Sequence, residues 1–139
     1  MLTLTTARII ADTTMAEAAR LATAPMAVVV LDAGGHILIA LRDERAGILR
    51  HDIALAKAWG SLGMGFGSRS LAGRLDKAPG FFGALADVSG GRLAPSPGGV
   101  LIVDHGAIVG AVGVSGDVGD VDEVCALAGV AAAGMSGTT

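Results

Sequence analysis

A chain of 139 residues and 13.7 kDa has room for one domain, taken as residues 1–139. It is 52% apolar and 17% charged, with a mean hydropathy of +0.64, against about 25% charged residues in an average globular chain. That apolar fraction and a formal net charge of -3 exclude disorder. A pI near 5.4 and 3% aromatic residues offer neither a basic field nor stacking platforms, so nucleic acid is not an expected partner.

Small domains bury a modest share of their surface. A chain this short of polar groups is expected to hide apolar faces between subunits, as a homo-oligomer. The single cysteine, Cys125, excludes an intramolecular disulfide and any multi-thiolate metal site, and fits a cytoplasmic setting. The N-terminal residues lack a basic start followed by an apolar core, so no signal peptide is expected. The apolar region from Ala27 to Leu41 is interrupted by Asp32, Gly34, Gly35 and His36 and does not read as a membrane span.

In chain order, Thr5 to Ala22 reads as a helix. Ile9, Ile10, Met15, Ala18, Ala19 and Leu21 recur at helical spacing, and Pro25 stops it. Met26–Leu31 and Ile37–Leu41 read as strands joined by the turn Asp32-Ala33-Gly34-Gly35, a β-hairpin. Gly47 to Leu62 is a second helix, ended by Gly63, Gly65 and Gly67. Ser68 is placed to cap a short helix through Leu75. Pro79 opens another helical stretch, Gly80 to Val88, with Phe81 and Phe82 as anchors. The segment from Ser89 to Gly99 is a loop rich in glycine and proline. Val100–Val103 and Ala107–Val114 form a second hairpin around Asp104-His105-Gly106, and the last helix spans about Val121 to Ala133. Its nonpolar circumference predicts burial on several sides. The order α-ββ-α-α-ββ-α predicts an α+β fold with a central antiparallel sheet flanked by helices.

Lys57 lies between Ala56 and Ala58 in an apolar helix. It either snorkels to solvent or faces a cavity. Arg50 sits seven residues earlier on the same helical face, and Ala54 between them leaves space. Two cations on one cavity make a site for a carboxylate, and a lysine in an apolar pocket can act as an acid or base. His51 opens the same helix. His36 and His105 lie in or beside hairpin turns, where histidines are usually solvated. No two histidines stand at i, i+4, so no zinc site within the chain is expected. Gly63-Met64-Gly65-Phe66-Gly67 lacks the ending of a phosphate loop and reads as a helix stop. Ser115 lacks the Gly-x-Ser-x-Gly surroundings of a hydrolase nucleophile, because position 117 is Asp. Asp120 is placed to cap the last helix, with Asp122 and Glu123 at its positive end, unless these carboxylates meet Lys57 or Arg50 in space.

Several stretches resemble the GlcG/HbpS family of haem-binding-protein-like domains, also found as the C-terminal domain of PduO-type corrinoid adenosyltransferases. They are Val30-Leu31-Asp32-Ala33-Gly34-Gly35-His36, Ile53-Ala54-Leu55-Ala56-Lys57-Ala58-Trp59, Gly90-Gly91-Arg92, Pro97-Gly98-Gly99-Val100 and Val109 to Gly116, then Asp122-Glu123 and Ala128-Gly129. Where the common pattern resembles Arg-Met-Asp-Gly-Ala, this chain has Arg42-Asp43-Glu44-Arg45-Ala46-Gly47, which adds charge at the lip of the expected pocket.

The resemblance implies dimers up to octamers and a pocket beside the lysine-bearing helix and the Pro-Gly-Gly loop. The ligand would be haem or another planar carboxylated molecule. Arg50 and Lys57 would pair with its carboxylates, Gly98, Gly99 and Ser115 would line the site, and His51 or His36 would be the axial ligand if haem is bound. An alternative is a cofactor-independent isomerase, hydratase or cyclase acting on a small carboxylated or aromatic metabolite. There Lys57 or His51 would move the proton and amides near Gly98-Gly99 would hold an enolate-like oxygen. A third reading is an assembly subunit without a ligand.

Overall fold

A computed structural model describes all residues from Met1 to Thr139. The elements are α1 (Leu4–Arg20), β1 (Ala27–Asp32), β2 (Ile37–Arg42), α2 (Leu49–Met64), α3 (Ser68–Lys77), α4 (Pro79–Val88), β3 (Gly99–Asp104), β4 (Ala107–Ser115), α5 (Gly119–Ala132) and β5 (Ser136–Thr138). One antiparallel sheet runs in the order β2-β1-β4-β3-β5. Both expected hairpins are present. β5 was not foreseen, because Ser136-Gly137-Thr138 carries no apolar alternation. It pairs with Leu101, Ile102 and Val103, and its Gly137 lies against Leu127 of α5.

Alternate side chains of the strands face opposite layers. Val28, Val30, Val100, Ile102, Val112 and Val114 pack with Ile10 of α1 and with Cys125 and Val130 of α5. On the other face Ala27, Val29, Leu31, Leu101 and Ala111 meet Ala54 and Ala58 of α2. Each fully buried valine or leucine contributes about 1.5–3 kcal/mol of transfer free energy. The small residues on the second face let α2 lie unusually low. A Cβ on Gly113 would run into the Ala54 carbonyl oxygen, and one on Gly99 into the Lys57 carbonyl oxygen.

The helix ends differ in instructive ways. Thr3 caps α1 by accepting the Thr6 N–H at 3.1 Å. α2 runs through Gly63 and stops at Gly65, whose φ of +79° suits a left-handed cap. The expected cap at Ser68 is not one: Gly67 precedes α3, and the Ser68 hydroxyl instead accepts the Gly99 N–H at 2.7 Å. Asp120 likewise does not cap α5, which begins two residues earlier than expected after Val118; Asp120 pairs with Arg69. α4 buries no residue and rests chiefly against α3. α5 packs on α1 and the sheet, but Val124, Ala131 and Ala132 leave one of its faces exposed in the single chain. No helix is long and apolar enough to cross a membrane.

Candidate functional site

α2 descends along β4, from Arg50 beside Ser115 to Trp59 beside the β1–β2 turn. Lys57, in the middle of that path, is 3% exposed and its partner Asp122 is 1% exposed. The Lys57 Nζ donates to Asp122 Oδ2 at 2.9 Å and to the Val114 carbonyl at 2.9 Å. The other carboxylate oxygen accepts the Asp117 N–H at 2.9 Å. Burial pushes the Asp122 carboxyl above its ordinary value, while the Lys57 charge, the N–H groups of Asp117 and Gly116 and the Lys57 hydrogen bond pull against that rise. Each charged atom of this ion pair has a partner, and no buried side-chain polar atom in the chain is left without one.

Gly98 closes over the pair. Its φ is +125°, and an added Cβ would lie 2.7 Å from the Val114 oxygen, 2.9 Å from the Lys57 Nζ and 3.0 Å from the Asp122 Cβ. Only a residue without a side chain lets the backbone cross there. Gly99 follows with its N–H committed to Ser68, so it is not free to stabilise an oxyanion. Ser61 Oγ donates to the Lys57 carbonyl at 2.7 Å and locks the same turn of α2 from within.

Arg50 is half-buried, and its Nη1 donates to the Ser115 Oγ at 3.3 Å. It belongs to none of the chain's ion pairs. The nearby Asp117 carboxyl is held below its ordinary value, first by the Ala24 N–H, then by the Val118 N–H, with a smaller contribution from Arg50. His51 is half-buried and takes part in no hydrogen bond or ion pair. His36 stands at the opposite end of β1 from Ser115, since Ala27 pairs with Ser115 and Asp32 with Gly110. Its Nδ1 meets Asp32 Oδ1 at 3.2 Å, and the ring is largely exposed.

The expected cationic pair on one hollow is therefore corrected. Lys57 and Arg50 share a helix face, but Lys57 is consumed by Asp122, and Ala54 between them packs against the Gly113 backbone rather than leaving space. Where a pocket is expected beside Lys57 and Gly98-Gly99, the Gly98 backbone lies in close contact with the Lys57–Asp122 pair. The two principal hollows lie elsewhere. One of about 390 Å³ is lined by Met15, Ala18, Met26, Asp43 and Arg45; the other, of about 330 Å³, by Leu2, Asp32, Gly34 and Ile108. As an acid or base, Lys57 would first have to leave both of its acceptors.

Sequence reading left open whether Asp122 reaches Lys57, and the fold joins them across 65 residues. It had no signal for Arg69, which reaches from α3 to Asp120 and Glu123 of α5, with Nε 3.0 Å from Glu123 Oε1. Cys125 is buried, and burial pushes its thiol up to about 11, which leaves it unreactive.

A family model described as Haem degrading protein HbpS-like matches residues 2–131. Among solved structures, a double mutant of Streptomyces reticuli HbpS is 33% identical, with 94% of this chain and 85% of that chain covered and a TM-score of 0.82. Klebsiella pneumoniae protein ORFY is 25% identical, with 96% and 90% covered and a TM-score of 0.87. A PduOC:heme complex shares the fold at 22% identity, with 99% of each chain covered and a TM-score of 0.88. No curated protein matches the chain.

Proposed function

This chain belongs to the HbpS-like haem degrading protein family, and from that premise we propose that it is a small-ligand-binding protein, working as a homo-oligomer, that holds haem or another planar carboxylated molecule. The observation that carries this reading is Arg50. It is a half-buried guanidinium at the open end of α2, beside the buried Ser115 hydroxyl, with no carboxylate of its own. Such a group suits an arriving carboxylate.

The side chains present fit haem in two respects. Arg50 is available to a propionate, and His51, the next residue, has no hydrogen bond that would compete with an iron. His36, the second axial candidate, stands at the far end of β1 from Arg50 and Ser115 and would ligate a haem seated by the β1–β2 turn, not one whose propionate Arg50 holds. Contact of His36 with Asp32 fixes the ring and leaves Nε2 outward, the arrangement in which a carboxylate orients a ligating imidazole. Haem, when bound, supplies an iron with open coordination positions. Lys57 contributes in another way: it ties the end of β4 at Val114, next to Ser115, to Asp122, which holds the loop that follows through the Asp117 N–H.

Titration of the pure protein with hemin tests the reading. A saturable Soret band is expected, reduced by His51→Ala or by His36→Ala according to which imidazole ligates. A Soret region identical to free hemin in buffer would remove haem as the ligand. Native mass spectrometry of the freshly purified protein reports any other carried molecule together with the number of subunits.

A further inference from the structure

We infer that Arg42, and not Lys57, is the second cation at the anion-binding end of the site, so that Arg42, Arg50 and Ser115 together select the ligand by its carboxylate. The inference rests on the ligand-binding reading above and deepens it.

Strand register places Arg42 opposite Ala27 and Ala27 opposite Ser115, a single row across β2, β1 and β4. Ala27 belongs to the cluster that packs against α2, so the whole row lies on the α2 side of the sheet. Two strand spacings put the Cα atoms of Arg42 and Ser115 about 10 Å apart, and a single methyl group stands between them. Arg50 comes down onto the same row from the first turn of α2 and touches Ser115.

The Arg42 guanidinium is anchored through one nitrogen. Its Nη1 donates to the carbonyls of Ala46 at 2.7 Å, Asp43 at 3.1 Å and Glu44 at 3.4 Å. Its Nε and Nη2 have no protein acceptor, and the same is true of Arg50, which uses only Nη1. Two anchored guanidiniums with free edges suit a carboxylate, which accepts paired N–H donors.

Two of the nearby acids are already engaged. Asp43 is clamped by Arg45 at 2.8 and 3.0 Å, and Asp117 accepts the N–H groups of Ala24 and Val118. Glu44 and Asp52 are exposed and pair with neither guanidinium. Lys57, two turns further along α2, has its charge paired with Asp122 and two of its donors in use.

The test compares hemin with hemin dimethyl ester, which keeps the ring and iron but has no free carboxylate. Wild-type protein is expected to bind the free acid about ten-fold or more tightly than the ester. Arg42→Ala and Arg50→Ala are each expected to weaken hemin about ten-fold while leaving the ester unchanged, and Arg42→Lys, which keeps the charge without the fork, to recover part of the loss. Unaltered ester binding shows that the variant is folded. Should Arg42→Ala fail to fold, Arg50→Ala and Arg42→Lys decide the same comparison. Equal affinity of wild type for the two forms, or an Arg42 variant that weakens both alike, overturns the inference and leaves the ring-binding reading standing. Binding of neither form removes the haem reading and this inference with it.

Discussion

Lys57 and Asp122 show how a buried charge survives in an apolar chain. Taking two ions out of water costs several kcal/mol each, so each needs the other and further hydrogen bonds as well. Here the Val114 carbonyl and the Asp117 N–H supply them. Removing one member leaves an uncompensated charge. Lys57→Met or Asp122→Leu alone is expected to destabilise by about 3–5 kcal/mol, and the double variant by clearly less than the sum. Urea unfolding of the four proteins gives this coupling directly, and additive losses would speak against a mutually dependent pair.

The pH dependence follows from the same residues. The Asp122 pKa is raised in the folded state, so the native protein holds that proton more readily than the unfolded chain does. Acidification toward its unfolded value therefore does not cost Asp122's share of stability. Asp117 is the opposite case. Its depressed pKa contributes stability that is present above the unfolded value of 3.8 and lost as pH falls through the lower folded value. Asp43, held down to about 2 by Arg45, behaves in the same direction. Asp117→Asn is thus expected to flatten the loss of stability between pH 5 and pH 2 seen in denaturant titrations; an unchanged acid limb would show that Asp117 is not among the residues responsible.

Among the elements, α2 is the one whose position makes the site. It lies close to β4 and β3 because Gly113 and Gly99 present bare backbone to the Ala54 and Lys57 carbonyls. Gly113→Ala forces either the helix or the strand to shift and is expected to cost about 1–3 kcal/mol or more by overpacking. Gly65→Ala meets no atom and carries only the left-handed backbone penalty of about 1 kcal/mol. The two melting temperatures separate close packing from backbone strain. If Gly113→Ala were the milder change, the close approach of α2 would not be a constraint on the fold. The cap at Ser68 failed for a related reason: its hydroxyl is worth more to the buried Gly99 N–H than to a helix end.

At the scale of the whole molecule, apolar side chains remain uncovered on several elements. Ile48 is 94% exposed, Val88 80%, Val118 65% and Phe81 61%, and α4 as a whole buries nothing. These are the groups a second copy would cover in the proposed homo-oligomer. Phe81→Glu and Ile48→Glu, made singly, are expected to lower the subunit number in light scattering coupled to gel filtration. Masses that match the unmodified protein would place the subunit contact on other faces.

The strands, the two glycine-containing hairpin turns, the apolar periodicity of α1 and the apolar runs of α2 and α5 are local properties, so they are legible residue by residue. The resemblance to the family is legible too, because it is written in contiguous motifs. Sequence could also place Arg50 and Lys57 on one helix face, since 3.6-residue periodicity fixes that. It could not decide which of the two keeps a free charge. That choice depends on Asp122 arriving 65 residues later and on Gly98 sealing the pair, and on strand register setting Arg42 in line with Ser115. Such pairings are governed by distance through space in a medium of low dielectric, where one ångström outweighs any spacing along the chain.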